Sequence, residues 1–227
     1  MEMTPERWEY TQQYCREVFG REDEILSRLR KEAAEAGLPE ISISPDVGRL
    51  LMILTSMTRG RLAMEVGTLG GYSAIWLARG LQENGRLITI EIDEKHAAFA
   101  RRQFERAGLQ RRIELRRASA LEELPRLSRE LGQASLDVVF LDAVKEEYPE
   151  YWRIIRPMIA AGGLLICDNA LGSSSFWIDD ADHPSREGAD RLNRLVAGDP
   201  EFEAVVLSQR QGVLVARRRE GVNKVTS

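Results

Sequence analysis

The sequence predicts an α/β fold: a doubly wound, mostly parallel sheet of seven strands that ends in an antiparallel hairpin and is preceded by a helical cap. Three observations carry this. From residue 61 onward, short apolar runs alternate with amphipathic stretches, the pattern of βα units whose strands are buried beneath helices on both faces. The first of these units holds a glycine-bearing turn, Gly67-Thr68-Leu69-Gly70-Gly71, between its strand and its helix. The last two apolar runs are joined by a polar turn too short for a helix, which makes them a hairpin.

Taken in order, residues 4–36 read as two charged helices parted near Gly20, with Ile25, Leu26 and Leu29 as an inward stripe. Ser44 is placed to cap a third helix with Pro45 at its first position, and Val47, Leu50, Leu51, Ile53 and Leu54 predict that this helix is well buried. Residues 62–66 form the first strand; the helix behind the glycine turn carries Ile75, Leu77, Ala78 and Leu81 on one face. Strands follow at 86–92, 113–118, 136–142 and 164–167, and helices at 94–107, 120–131 (broken by Pro125) and 148–160. A last helix spans 184–197, and the hairpin pairs 202–207 with 212–217 across a turn at 208–211. The chain is thus expected to be one domain, 1–227, with a cap at 1–60, a core at 61–219 and a frayed tail at 220–227.

Composition narrows the function. At 43% hydrophobic and 30% charged, 227 residues can bury one substantial core. The net charge of -4 removes the general attraction that nucleic acids and anionic membrane surfaces exert on basic proteins. Cys15 and Cys167 lack the spacing of a metal or redox pair, and Cys167 reads as a core thiol. No apolar stretch approaches the roughly 20 residues of a membrane span, and M-E-M-T-P-E-R-W is no signal peptide, so a cytoplasmic protein is expected.

The chemistry gathers at strand ends. Glycines let a ligand approach the backbone closely, and the helix start behind them offers unpaired N–H groups. Glu91, at the end of the next strand, is placed to accept hydrogen bonds from a ribose diol. The turn departs from G-x-G-x-x-G and is preceded by Glu65, which disfavours a nicotinamide dinucleotide and suits another adenosyl ligand. Asp142, Asp168 and Asn169 make a hard oxygen set, suited to Mg²⁺, Ca²⁺ or Mn²⁺ rather than zinc, although Asp168-Asn169 also fits a plain turn cap. Lys145 is one of four lysines, with Lys31, Lys95 and Lys224, in an arginine-rich chain. Unlike arginine, it can lose a proton where a nearby cation depresses its pKa; a solvated surface lysine is the plainer reading.

These stretches, M-E-V-G-T-L-G-G-Y-S-A, F-L-D-A-V-K-E-E-Y and G-G-L-L-I-C-D-N, with I-S-I-S-P-D-V-G-R-L-L ahead of them, resemble the class I S-adenosylmethionine (AdoMet)-dependent methyltransferases. Within these they are most similar to the cation-dependent O-methyltransferases, which include the caffeoyl-CoA and catechol enzymes; the resemblance runs over about residues 41–218 of a Rossmann-like sheet. It implies that Glu65, Gly67, Thr68 and Ser73 contact the methionine part of AdoMet, Glu91 the ribose, Ala118 and Ser119 the adenine, and Ile43 the cofactor from the cap. It implies further that Asp142, Asp168 and Asn169 bind a divalent cation, usually Mg²⁺, with Asp142 also bordering the cofactor, and that Lys145 is the general base. The expected reaction is methyl transfer to a hydroxyl of a small catechol-like aromatic, by a homodimer.

Two other readings stand beside it. A basic stripe of Arg101, Arg102, Arg106, Arg111, Arg112, Arg116 and Arg117 would serve a tRNA hydroxyuridine methyltransferase of the same fold. A non-catalytic AdoMet-binding module would need no metal set. Val144, the stretch 172–177 and Gln211-Gly212-Val213 depart from the family pattern, and Phe176 and Trp177 are candidates to stack on an aromatic acceptor.

Overall fold

Local sequence sets the boundaries of each element in the computed structural model, which describes residues 2, 4–208 and 210–221. Position 209 of the expected turn and positions 222–227 of the expected tail lie outside the described residues. Contacts divide the chain into two compact units, Met1–Ala120 and Leu121–Ser227.

In the first unit, the Thr4 hydroxyl caps α1 (Pro5–Phe19) and the Asp23 carboxylate caps α2 (Glu24–Glu35), accepting the N–H of Arg7 at 3.3 Å and of Leu26 at 3.0 Å. Helix α2 buries Leu26 and Leu29 as expected, with Ile25 half-buried, whereas α1 buries none of its residues. Ser44 stands at the N-cap of α3 (Pro45–Thr58) without making a side-chain capping bond. The expected deep burial of α3 is only partly met: Val47 and Leu51 are fully buried, but Ile53 is 46% exposed. The reason is one-sided packing, with Gly48 so close to the Trp76 indole of α4 (Tyr72–Gly80) that a Cβ there would lie 2.3 Å from its nitrogen.

Strands β1 (Leu62–Val66), β2 (Arg86–Glu91) and β3 (Ile113–Arg117) pair in parallel in the order β3-β2-β1, with α4 (Tyr72–Gly80) and α5 (Glu94–Arg106) packed on them. Register sets Val66 opposite Ile90 and Glu91 opposite Arg117. The glycine turn therefore leaves β1 at the level where β2 presents Glu91.

The second unit holds α6 (Ala120–Leu131) almost entirely, and this helix is continuous through Pro125, against expectation. Pro125 sits in the second turn, so the carbonyl its missing N–H would have served belongs to Leu121 in the exposed first turn. Strand β4 (Leu136–Leu141) is followed by a 3₁₀ turn, Lys145–Glu147, and by α7 (Tyr148–Ile155). The helix expected to reach residue 160 stops short before Pro157, and β5 starts early as Ile159–Cys167. Its parallel register with β4 jumps from Leu136↔Ile159 to Val138↔Leu164, so residues 160–163 bulge outward, with Gly162 at φ +79°. After α8 (Pro184–Ala197), β6 (Phe202–Leu207) and β7 (Val213–Arg218) form the expected antiparallel hairpin, and β7 also runs antiparallel to β5. The order in this unit is β4-β5-β7-β6. Among the described residues no helix is long and apolar enough to cross a membrane.

Candidate functional site

In the first unit the site begins with a buried carboxylate. Glu65 has no exposed surface, and an ionised acid in such a place needs partners. One oxygen accepts the Ser73 hydroxyl at 2.5 Å and the other accepts the Thr89 hydroxyl at 2.5 Å. Because Thr89 spends its hydrogen on Glu65, the 2.6 Å contact between Thr68 and Thr89 is donated by Thr68, whose hydrogen also points to the Ile90 carbonyl at 3.1 Å. Three expected residues, Glu65, Thr68 and Ser73, are thus brought together. Thr89 joins them unforeseen, although a lone hydroxyl in the apolar run of β2 was a signal for it.

The loop above this network is held by Glu91. Its two oxygens accept the N–H of Leu69 at 2.7 Å and of Asp93 at 2.9 Å. Leu69 has φ +47°, a left-handed conformation that costs energy outside glycine, and the bond to Glu91 offsets that cost. Gly67 (φ +98°) and Gly71 (φ +85°) need their freedom; a Cβ on Gly71 would also meet the Phe104 ring at 2.4 Å. Ala118 donates its N–H to the Glu91 carbonyl at 3.0 Å, which sets Ala118 and Ser119, both half-buried, at the same strand end. Ile43 lies before α3 with 2% of its surface exposed, and so serves as a packing residue whatever else it touches.

In the second unit, Leu141 and Cys167 are register partners at the ends of β4 and β5, so Asp142 and Asp168 leave neighbouring strands at one level. The Asp168 N–H bonds the Leu141 carbonyl at 3.1 Å. Asp168 is 1% exposed; its Oδ1 has no hydrogen-bond partner among the described residues, and its Oδ2 faces Arg210 Nη1 at 3.4 Å. Burial first and the neighbouring Asp142 charge second push its carboxyl up to about 6, against the opposing pull of Arg210 and Lys145. Asn169 follows at φ +59°.

Lys145, buried in the 3₁₀ turn, donates to Asp142 Oδ1 at 2.9 Å and to the Tyr148 hydroxyl at 2.8 Å. Burial works against its charge, but Asp142 and Tyr148 outweigh that and hold the ammonium well above the ordinary lysine range. It is neither the solvated surface lysine of the plainer reading nor, in this state, a free amine. Tyr148, three residues on and lying over the same turn, is a partner that spacing alone could have indicated. Cys167 is buried, and burial pushes its thiol up, as suits a core residue. Among the described residues no group of three or more His, Cys, Asp or Glu side chains is arranged to hold a metal ion; the third donor expected here is an asparagine.

The other candidates resolve differently. Phe176 is buried and stacked on His183 at 5.7 Å, while Trp177 is 43% exposed and Val144 is 52% exposed. In the basic stripe, Arg106 pairs with Glu32, Arg116 with Glu114 and Arg117 with Glu94, Arg102 lies over Phe99, and Arg112 binds the carbonyls of Leu81, Gln82 and Gly85. Much of the stripe is answered locally.

The O-methyltransferase family model matches residues 16–219, through both units. The chain is 36% identical over 205 residues to a catechol O-methyltransferase of Niastella koreensis, covering 90% of this chain and 92% of that one. It is 28% identical to caffeoyl-CoA O-methyltransferase 1 of Eucalyptus globulus, over 88% of this chain and 84% of that one. Among solved structures, the Bacillus cereus O-methyltransferase in complex with S-adenosylhomocysteine (SAH) matches 94% of this chain and 99% of its own, at 34% identity and a TM-score of 0.85. The expected doubly wound, Rossmann-like fold of seven strands with its terminal hairpin is therefore the fold of this protein, and the chain belongs to the O-methyltransferase family.

Proposed function

We propose that the protein transfers a methyl group from AdoMet to a hydroxyl of a small catechol-like acceptor, with a divalent cation held by Asp142, Asp168 and Asn169, and that its two units act as one methyltransferase domain. The observation that carries this reading is Asp168 Oδ1, a buried carboxylate oxygen beside a second acid and without a hydrogen-bond partner among the described residues. Two carboxylates and a carboxamide fit a hard cation, Mg²⁺ above Ca²⁺ or Mn²⁺. When bound, such an ion supplies positive charge that draws two adjacent acceptor oxygens together and makes their hydroxyls more acidic.

The chain's own residues supply the rest. Glu65, with Gly67, Thr68 and Ser73, would take the methionine end of AdoMet, since a carboxylate fixed by two hydroxyls is a ready partner for an ammonium group. Glu91 would hold the ribose, Ala118 and Ser119 would flank the adenine, and Ile43 and Asp142 would border the cofactor. In the reaction the S–CH₃ bond breaks as an O–CH₃ bond forms, leaving SAH and a methyl ether, and the acceptor proton passes to Lys145. That role needs a neutral amine. Positive charge accepted by Asp142 would release its hold on the Lys145 proton, leaving burial to favour the free base. Trp177 and Val144, both exposed, offer apolar surface for the acceptor ring.

We propose further that the partner of α1 is a second copy of the chain. Tyr10, Tyr14 and Phe19 of this helix are 70%, 49% and 56% exposed, and Ile53 and Met57 of α3 are 46% and 73% exposed. Large apolar residues exposed on two helices that touch each other support an interface there.

The test is methyl transfer from labelled AdoMet to a panel of catechols and to hydroxyuridine-containing tRNA, each with Mg²⁺ and with EDTA. Label on a catechol that disappears with EDTA is the expected result. Lys145→Ala should then lower kcat by about 10²–10⁴ with little change in AdoMet affinity. Label that persists in EDTA would remove the cation from the reading, and label confined to RNA would replace the acceptor.

A further inference from the structure

Arg210 is the residue whose position the functional reading leaves unused. It stands in the turn between β6 and β7 at φ +51°, a conformation disfavoured for an arginine, so something fixes it there. The fixing is a ladder to the chain just past Asn169: Leu171 donates its N–H to the Gln211 carbonyl at 2.8 Å, and Ala170 donates to the Gly212 carbonyl at 2.9 Å. Gly212, at φ +86°, presses so closely on Leu171 that a Cβ would meet its Cγ at 2.6 Å. The turn is thus tied to the segment that carries Asp168, and its guanidinium comes to 3.4 Å from Asp168 Oδ2. The Asp168 side chain is 2% exposed and that of Arg210 is 22% exposed, so the acid is enclosed while the base keeps a route to solvent.

From this placement we infer that Arg210 is a built-in competitor for the divalent cation: it supplies the counter-charge to Asp168 when no metal is bound and thereby lowers the affinity of the site. The inference rests on the metal reading of Asp142, Asp168 and Asn169 and deepens it. A fixed positive group at a carboxylate ligand opposes a divalent ion by direct repulsion and by holding Oδ2, which leaves only Oδ1 open, so full use of the carboxylate by the ion requires the guanidinium to turn out toward water. The site would then fill only at substantial cation concentration, and the tie to Ala170 and Leu171 would return Arg210 when the ion leaves.

The test uses the full chain stripped with EDTA, without AdoMet or acceptor. Mn²⁺ is titrated by calorimetry and by the electron paramagnetic resonance of free Mn²⁺, and melting is followed with and without Mn²⁺. Arg210→Gln should bind Mn²⁺ about tenfold tighter than the parent protein. The same variant should melt lower than the parent when metal-free and gain more on adding Mn²⁺. Arg210→Lys, which keeps a positive charge, should stay near the parent affinity, and Asp168→Asn should lose binding in either background. Mn²⁺ binding in Arg210→Gln that equals or falls below the parent's, with Asp168 still required, would overturn the inference while leaving the metal reading in place. Binding by Arg210→Gln alone would support it; absence of Asp168-dependent binding in both proteins would overturn the metal reading and this inference with it.

Discussion

Asp168 shows how a single residue trades stability for a task. Its carboxyl, ordinarily near 3.8, is pushed up to about 6 in the folded chain, so the folded state prefers the protonated form. The sign follows: the contribution of Asp168 to stability is greatest below about pH 4, falls as pH rises through about 6, and stays reduced above that. Asp168→Asn in the metal-free protein should therefore raise stability by about 1–3 kcal/mol at pH 7.5 and by almost nothing at pH 4. Urea denaturation at the two pH values measures this, and equal midpoints at pH 7.5 would contradict it. The strand-end positions of Asp142 and Asp168 were legible in the sequence because acids there stand out from the apolar run before them. Arg210 was not, since its partner lies 42 residues away and only the folded hairpin brings the two together.

Among the elements, the glycine turn was read nearly in full and the region from residue 148 to residue 167 was not. In the turn, sequence names the glycines but does not say which are required. The structure separates them: Gly71 needs both a positive φ and the space beside Phe104, whereas a Cβ on Gly70 would make ordinary contact with Phe99 at 3.4 Å. Gly71→Ala should lower stability by about 2 kcal/mol or more, and Gly70→Ala by less than 1 kcal/mol. Chemical denaturation of the two variants decides this, and equal losses would show that the turn can relax. Gly162-Gly163 reads as a break between a helix and a short strand, yet it lies inside β5 as a bulge. Glycine marks both features alike, and only pairing with β4 tells them apart. Pro125 misled for a related reason: proline breaks a helix interior but is tolerated near its start.

For the whole molecule, composition and alternating apolar runs disclosed the fold class, because burial on two faces leaves little choice of pattern. They were silent on α1, whose charged and aromatic residues look like an ordinary amphipathic helix although none of them is buried in this chain. A second copy covering Tyr10, Tyr14, Phe19 and Met57 predicts a dimer by sedimentation equilibrium, and Tyr14→Glu with Phe19→Glu should shift it to monomer; a monomeric parent would dispose of that interface. Isolated helices of this length are marginal in water. Helix α1, which spans 15 residues, fully buries none of them and rests on α3 by a half-buried face that includes Trp8, Gln12 and Cys15, so a second copy of the chain would add to its order. Mass action then reaches into secondary structure, and on dilution the amino-terminal amides would exchange with solvent and yield to proteases while the rest of the protein stays protected.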